Sequence, residues 1–192
     1  MNRLEMLEFM DKILFNTPIY MKVSKFNECF KYNPKTKIVV YLDLTSHRGE
    51  NKELLTIEEA YEKYPNNLAS LYIDSNCKFA VSYRYLKIGN YYFWINYISK
   101  NDWRSNVGED IQISINSFGD LTNPMYKVVD KKINMPLYAI DFVQDKDNNH
   151  YAIDFNIAPG IKGIGIENYL SAKEIVESIK YYIKESQYEL YY

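Results

Sequence analysis

The segment from Tyr138 to Asn156 reads Tyr-Ala-Ile-Asp-Phe-Val-Gln-Asp-Lys-Asp-Asn-Asn-His-Tyr-Ala-Ile-Asp-Phe-Asn. Its polar middle, Asp145 to His150, is turn chemistry between two runs that alternate apolar and polar residues, the pattern of a β-hairpin. A turn centred on Asp147-Asn148 sets Ile140 opposite Phe155 and Phe142 opposite Ile153. On the other face it sets Asp141 opposite Asp154, with Asn156 two residues further along the same face. A slip by one residue would spoil both faces. Two opposed carboxylates repel, so a fold keeps them when a cation lies between them or when one takes a proton. With the amide oxygen of Asn156 the donors are all hard oxygens, which suit Mg2+ (or Mn2+) carrying nucleotide phosphates rather than zinc. A solvated hairpin face with water-screened acids explains the same pattern equally well.

Other chemistry-bearing residues carry less. Gly160-Ile-Lys-Gly163-Ile-Gly165 follows Pro159 and lacks the strand–turn–helix context of a dinucleotide fingerprint. His47 and His150 fall in expected loops, where a solvated histidine is the ordinary reading. Tyr91, Phe93, Ile95 and Tyr97 share one face of an expected strand and read as core rather than as a base-stacking platform. No Ser/His/Asp grouping has supporting context.

These side chains need elements to hold them. Leu4, Leu7, Met10, Ile13 and Leu14 recur at helical spacing until Pro18. Ile19–Val23 and Lys37–Leu44 are expected strands, the second rich in β-branched residues. Thr45–Asn51 reads as a loop. Thr56 with Glu59 forms a capping box for a helix to about Tyr64. Strand-like runs follow at 69–74, 79–88, 91–99 and 110–116, with Gly89-Asn90 as a two-residue hairpin turn between the second and third. Residues 119–136 give no clear assignment around Val128-Val129. Ser171 with Glu174 caps a last helix whose apolar stripe is Ala172, Ile175, Val176, Ile179, Tyr182 and Ile183. Mixed strands and helices with mostly antiparallel hairpins make the class α+β.

Composition bounds the rest. The chain has 192 residues, 47% of them hydrophobic, which is enough to bury a core in one domain or two small lobes. A net charge of −2 gives no basic excess for nucleic acid. No apolar run is long enough to span a membrane. The acids among the first residues argue against a secretory signal, so the expected location is cytoplasmic. Cys29 and Cys77 are the only cysteines and are expected to be free and buried.

Asp141, then Asp154-Phe-Asn156, then Ala158-Pro-Gly160 resembles the signature of the ATP-grasp superfamily, with Asp154 where that family usually has Glu. Upstream, Asp102-Trp-Arg-Ser-Asn-Val-Gly108 resembles the Arg-x-Asn segment of its ribosomal-protein glutamate ligase branch, and Ser82-Tyr-Arg84 resembles the Arg-bearing strand before it. The resemblance places Leu71-Tyr72-Ile73-Asp74 at the adenine hinge and Lys22 on a phosphate-binding strand. It implies two ATP-gripping lobes, here 1–75 with a reduced N-terminal lobe and hinge and 76–192 with the metal-binding hairpin. The usual N-terminal α/β domain and glycine-rich phosphate loop are not evident; Thr45–Glu50 is a possible substitute for the loop. The implied activity is ATP-dependent ligation of a carboxylate to an amine through an acyl phosphate, with ATP and Mg2+ as cofactors. Asp141, Asp154 and Asn156 would hold the metal. Arg104 would act on the transferring group. Lys22, Leu71–Asp74, Arg84 and Asn106 would bind the nucleotide. The acceptor would be a small molecule, peptide or protein, and a homo-oligomer is compatible. The alternative is a shortened relative that binds nucleotide or a protein partner without catalysis.

Overall fold

In a computed structural model the chain is described over residues 1–13, 15–29, 32–45, 50–119 and 132–188, with side chains through residue 185. Its class is α+β, with a four-stranded and a five-stranded sheet. It divides into two compact units: Met1–Cys77 with Gln144–Ile153, and Lys78–Val143 with Asp154–Tyr192.

In the first unit, α1 (Arg3–Lys12) starts at a capping box formed by Asn2 and Glu5 and buries Met6, Leu7 and Met10. There follow β1 (Tyr20–Lys22), α2 (Val23–Glu28), β2 (Lys37–Tyr41), β3 (Lys52–Thr56), α3 (Ile57–Lys63) and β4 (Leu68–Leu71). The sheet order is β1-β4-β2-β3, with every neighbouring pair antiparallel. Val23, Phe26, Ile38, Val40, Ile57, Ala60 and Ala69 form its core. Thr56 and Glu59 make the expected capping box at the start of α3. Two elements have no counterpart in the sequence reading. The short α2 has no side-chain cap and buries only Val23 and Phe26. Strand β3 is half-buried at every position, so it shows no alternation to read. The strand expected over 69–74 stops at Leu71. Tyr72 still donates its N–H to Lys37 O at 3.1 Å, but the Asp74 carboxylate then accepts from Asn76 N at 2.8 Å and turns the chain. Cys29 and Cys77 are free, and Cys77 is exposed rather than buried.

The five-stranded sheet is built on β5 (Ala80–Ile88), β6 (Tyr91–Ser99), β7 (Gln112–Gly119), β8 (Leu137–Gln144) and β9 (His150–Asn156), in the order β7-β6-β5-β8-β9; the second unit holds all of it except the hairpin end, Gln144–Ile153. Strand β5 is central. It pairs antiparallel with β6 from Ala80↔Ser99 to Ile88↔Tyr91, and with β8 from Tyr83↔Phe142 to Ile88↔Leu137. The core holds Leu86, Ile88, Phe93, Ile95, Tyr97 and Ala139 with Ile166 and Leu170, and Ile175 and Ile179 of α4 (Ala172–Tyr188) pack on it. Ser171 and Glu174 cap α4 as expected. The buried stripe of α4 is narrower than its periodicity suggests, because Val176 and Ile183 remain exposed. Tyr182 instead lies over Lys87, whose ammonium is 3.9 Å from the ring centroid. Among the described residues no helix is long and apolar enough to cross a membrane.

The hairpin tip differs from expectation. Asp145 N donates to Asn149 O at 3.0 Å and Asn148 N to Asp145 O at 3.1 Å, so Asp145 closes against Asn149 rather than His150. Asn148 adopts a left-handed φ of 66°, and the Asp145 carboxylate accepts from the N–H groups of Asp147 and Asn149. An aspartate bonding forward to its own turn outweighs the symmetric turn. In β9 the buried positions are Ala152 and Phe155, with Ile153 and Asp154 half-exposed between them. The segment 120–131, which includes Pro124 and Val128-Val129, lies outside the described residues, as do residues 46–49.

Gly89 generates a stability test. It has φ +56°, and a Cβ there would lie 2.5 Å from the carbonyl carbon of Ser178 in α4. Gly89→Ala combines a strained backbone with a clash against helix backbone, so it should lose about 2 kcal/mol or more in urea unfolding. Gly160 has ordinary φ and nothing within 4 Å of a built Cβ. Gly160→Ala should be neutral or slightly stabilising.

Candidate functional site

Antiparallel pairing puts Arg84 of β5 directly opposite Asp141 of β8 on one side and Ile95 of β6 on the other. Directly paired residues share a sheet face, so guanidinium and carboxylate meet. Arg84 Nε donates to Asp141 Oδ1 at 2.6 Å and Nη2 to Oδ2 at 2.8 Å, a two-pronged bond between side chains each 15% exposed. Burial works against the Arg84 charge, but the Asp141 carboxylate more than offsets it, and Asp154 adds to that; the guanidinium is held above its ordinary pKa. The Tyr97 ring completes the cluster, with Arg84 Cζ 5.3 Å from its centroid. Burial pushes the Tyr97 phenol up, and the Arg84 charge only partly opposes this.

The repulsion expected between Asp141 and Asp154 is therefore met by a protein cation that the hairpin sequence alone did not reveal. Arg84 lies 57 residues before Asp141 in the chain, and only the β5–β8 pairing brings them together. Asn156 Oδ1 accepts from Ala158 N at 2.9 Å, which fixes the turn into Pro159-Gly160. Among the described residues no group of three or more His, Cys, Asp and Glu side chains could hold a metal ion. A metal here would rest on Asp141, Asp154 and Asn156. The donor chemistry fits Mg2+: two acids and an amide, all oxygen, with other positions left to phosphate and water. Arg84 takes two of the roughly four lone-pair directions of Asp141 and leaves the others.

Arg104 sits in the turn segment after β6. It forks onto Asp102, Nε to Oδ1 at 2.9 Å and Nη2 to Oδ2 at 2.8 Å, while its N–H also donates to Oδ1 at 2.8 Å. The bond from Arg104 lowers the Asp102 pKa, and the same bond raises that of Arg104. The segment is pinned to the sheet by Ser105 Oγ bonding Ser82 Oγ and by Ser99 Oγ donating to Val107 O at 2.9 Å. Asn106 is exposed beside it.

The remaining nucleotide candidates belong to the first unit. Lys22 ends β1 opposite Leu68 and is exposed. Leu71 ends β4, and Tyr72, Ile73 and Asp74 leave it; burial raises the Tyr72 phenol and the Asp74 charge adds to this. Of the loop Thr45–Glu50, residues 46–49, His47 among them, lie outside the described residues. His150 is the first residue of β9 rather than a loop residue, and burial lowers its pKa against the partial opposition of Asp145. Two partners escaped the sequence reading. Tyr97 was assigned only to the core, which its burial bears out, but its ring lies beside the Arg84 guanidinium. Asp102 was quoted only as part of a motif, although its position two residues before Arg104 in a turn was a readable signal.

No family model matches the sequence, and no curated protein matches it by sequence. Solved structures match the fold. The ATP-grasp ligase PsnB, complexed with a minimal precursor, superposes with a TM-score of 0.61 at 10% identity, covering 95% of this chain and 60% of that one. The macrocyclase MdnC of Microcystis aeruginosa MRC, bound with precursor peptide MdnA, gives 0.58 at 14% identity, covering 92% and 58%. N5-carboxyaminoimidazole synthetase of Staphylococcus aureus, complexed with ADP, gives 0.52 at 12% identity, covering 88% and 47%. The fold is thus that of the ATP-grasp ligases, and the chain spans about three-fifths of the length of the first two.

Breaking the Arg84–Asp141 pair from one side leaves a largely buried carboxylate uncompensated. Arg84→Met should cost about 3 kcal/mol in chemical denaturation, and Asp141→Leu added to it should recover most of that loss. The Asp102–Arg104 pair predicts a pH dependence. The folded pKa of Asp102 lies below its ordinary 3.8, so its stabilisation is complete above that value and is lost as pH falls through the folded pKa. The stability difference between wild type and Asp102→Asn should be constant from neutral pH to about pH 5 and shrink as the pH drops below 3.8.

Proposed function

We propose that this chain carries the metal- and nucleotide-handling part of an ATP-dependent carboxylate–amine ligase. The observation that carries the reading is the Arg84–Asp141 pair with Asp154 on the same hairpin, within a fold shared with ATP-grasp ligases. In the proposed reaction the γ-phosphoryl group of ATP moves to a carboxylate oxygen, giving an acyl phosphate and ADP. The amine nitrogen then attacks the acyl carbon, inorganic phosphate leaves with the C–O electron pair, and the amine sheds a proton. Such transfer depends mainly on positioning and charge neutralisation.

Asp141, Asp154 and Asn156 would hold Mg2+, which supplies positive charge to the phosphate oxygens. Arg84 orients the Asp141 carboxylate and keeps N–H groups for phosphate. Arg104 would stabilise charge on the transferring group, released in part from Asp102. Lys22 would contact an α- or β-phosphate, Leu71–Asp74 the adenosine, and Asn106 the metal or phosphate. Two of the matched ligases hold precursor peptides in their structures, which favours a peptide as the class of carboxylate or amine partner. A second reading, nucleotide binding without ligation, is favoured by the two-pronged Asp102 bond that already satisfies Arg104.

Thermal unfolding with Mg2+ and ATP tests the premise. At about 100 times Kd a ligand adds about 2.7 kcal/mol, or roughly 5–10 °C in a chain of this size. Asp154→Asn should remove the Mg2+-dependent part of that shift. Release of ADP that requires added peptide and amine, and that falls on the order of 10²-fold in Arg104→Ala with ATP affinity nearly kept, supports the ligase. Tight binding without turnover on any acceptor supports the second reading, and absence of any nucleotide-dependent shift overturns both.

A further inference from the structure

Tyr97 offers a polar group that the roles above do not use. It lies near the end of β6 on the face it shares with Ile95, and Ile95 is paired with Arg84, which is paired in turn with Asp141. Its side chain is 7% exposed, and its hydroxyl proton has no acceptor among the described residues. A buried hydroxyl with nowhere to donate costs stability, and a phenylalanine would fill the same space without that cost. The neighbouring guanidinium carries five hydrogens, of which two are spent on Asp141. The hydroxyl and the remaining guanidinium hydrogens form a cluster of donors beside two carboxylates. Donors gathered there suit an incoming group that brings only acceptors and arrives with its own cation.

We propose that Tyr97 is a phosphate-binding residue, its hydroxyl donating to a terminal phosphate oxygen of a magnesium–nucleoside triphosphate alongside Arg84. The proposal rests on the nucleotide reading of the site and adds a residue to it. It accounts for a tyrosine at a position where apolar packing needs only the ring. A substrate carboxylate would offer similar acceptor oxygens, so the test separates the two by using nucleotides with no acid substrate present.

The test is titration calorimetry of the full chain and of Tyr97→Phe, with Mg2+ and in turn a non-hydrolysable ATP analogue, ADP and AMP, together with thermal unfolding of both ligand-free proteins. Loss of a hydrogen bond to a charged oxygen should weaken the triphosphate analogue on the order of tenfold or more and leave AMP nearly unchanged. The ligand-free Tyr97→Phe should unfold at the same temperature as wild type or higher, since an unsatisfied buried hydroxyl has been removed. A purely structural tyrosine would give a lower unfolding temperature and no selective loss of triphosphate affinity, and that result overturns the proposal. Equal affinity of both proteins for the analogue overturns it as well, with the nucleotide reading intact, as does the selective loss appearing only after a carboxylic acid is added. Failure of the wild type to bind any of the three nucleotides removes the nucleotide reading and this proposal with it.

Discussion

The ion pair between Arg84 and Asp141 is the constraint on which the second unit turns. Strand β5 is flanked by β6, its hairpin partner, and by β8, which arrives much later in the chain. The β5–β6 contact is local and secured by the two-residue turn at Gly89-Asn90. The β5–β8 contact must close a long loop, and nothing local sets its register. A one-residue slip would send Asp141 to the face that holds Tyr83 and Tyr85, where Tyr85 and Lys87 are fully buried. It would leave Arg84, largely buried, facing Ile140 or Phe142. Desolvating two charges makes such a pair a poor source of net stability. Its value is that a one-residue slip strands both charges.

That constraint also explains what could be read from the sequence. Local signals carried through: the capping boxes at Thr56 and Ser171, the hairpin at Gly89-Asn90, the span of β6, and the burial of Phe93, Ile95 and Tyr97. Each is decided by residues within a turn or two of one another. The failures lie where the deciding partner is distant or the pattern is blank. Helix α2 has no cap and only one turn and a half to show a face. Strand β3 is a half-buried edge paired to β2, so its residues do not alternate. In the hairpin, symmetric placement of the turn lost to the carboxylate of Asp145, which holds the N–H groups of Asp147 and Asn149.

The hairpin that carries the candidate site was legible for the same reason. Asp141 falls in β8 and Asp154 and Asn156 in β9, the two strands that the runs either side of the polar turn suggested. The partner that neutralises Asp141 was not legible, because it belongs to a strand paired through the sheet and not through the chain. Arg84 carried a nucleotide role by resemblance only, and its bond to Asp141 was invisible. Tyr97 shows the limit from the other direction. Alternation assigned it correctly to a buried face, yet alternation reports where a side chain points and says nothing of whether its polar end is satisfied there.

Charge counting links the pair to the proposed chemistry. Arg84 carries one positive charge and Asp141 and Asp154 one negative charge each, so the cluster is net negative when both acids are ionised. Such a cluster attracts a cation and repels a bare phosphate, despite the donors on Arg84 and Tyr97. A divalent ion reverses the sign, and the same donors then face an anion with favourable overall charge. On the proposed reading, metal and nucleotide are therefore linked thermodynamically: each raises the affinity for the other by the same factor. The guanidinium has a part in both halves of that linkage. It holds the Asp141 carboxylate oriented before the metal arrives, and it offers hydrogens to the phosphate that the metal brings. A neutral donor in its place could serve the phosphate but would leave the largely buried Asp141 carboxylate without its counter-charge, so on the proposed reading the chemistry calls for a fixed cation on β5 rather than for a hydrogen-bond donor alone.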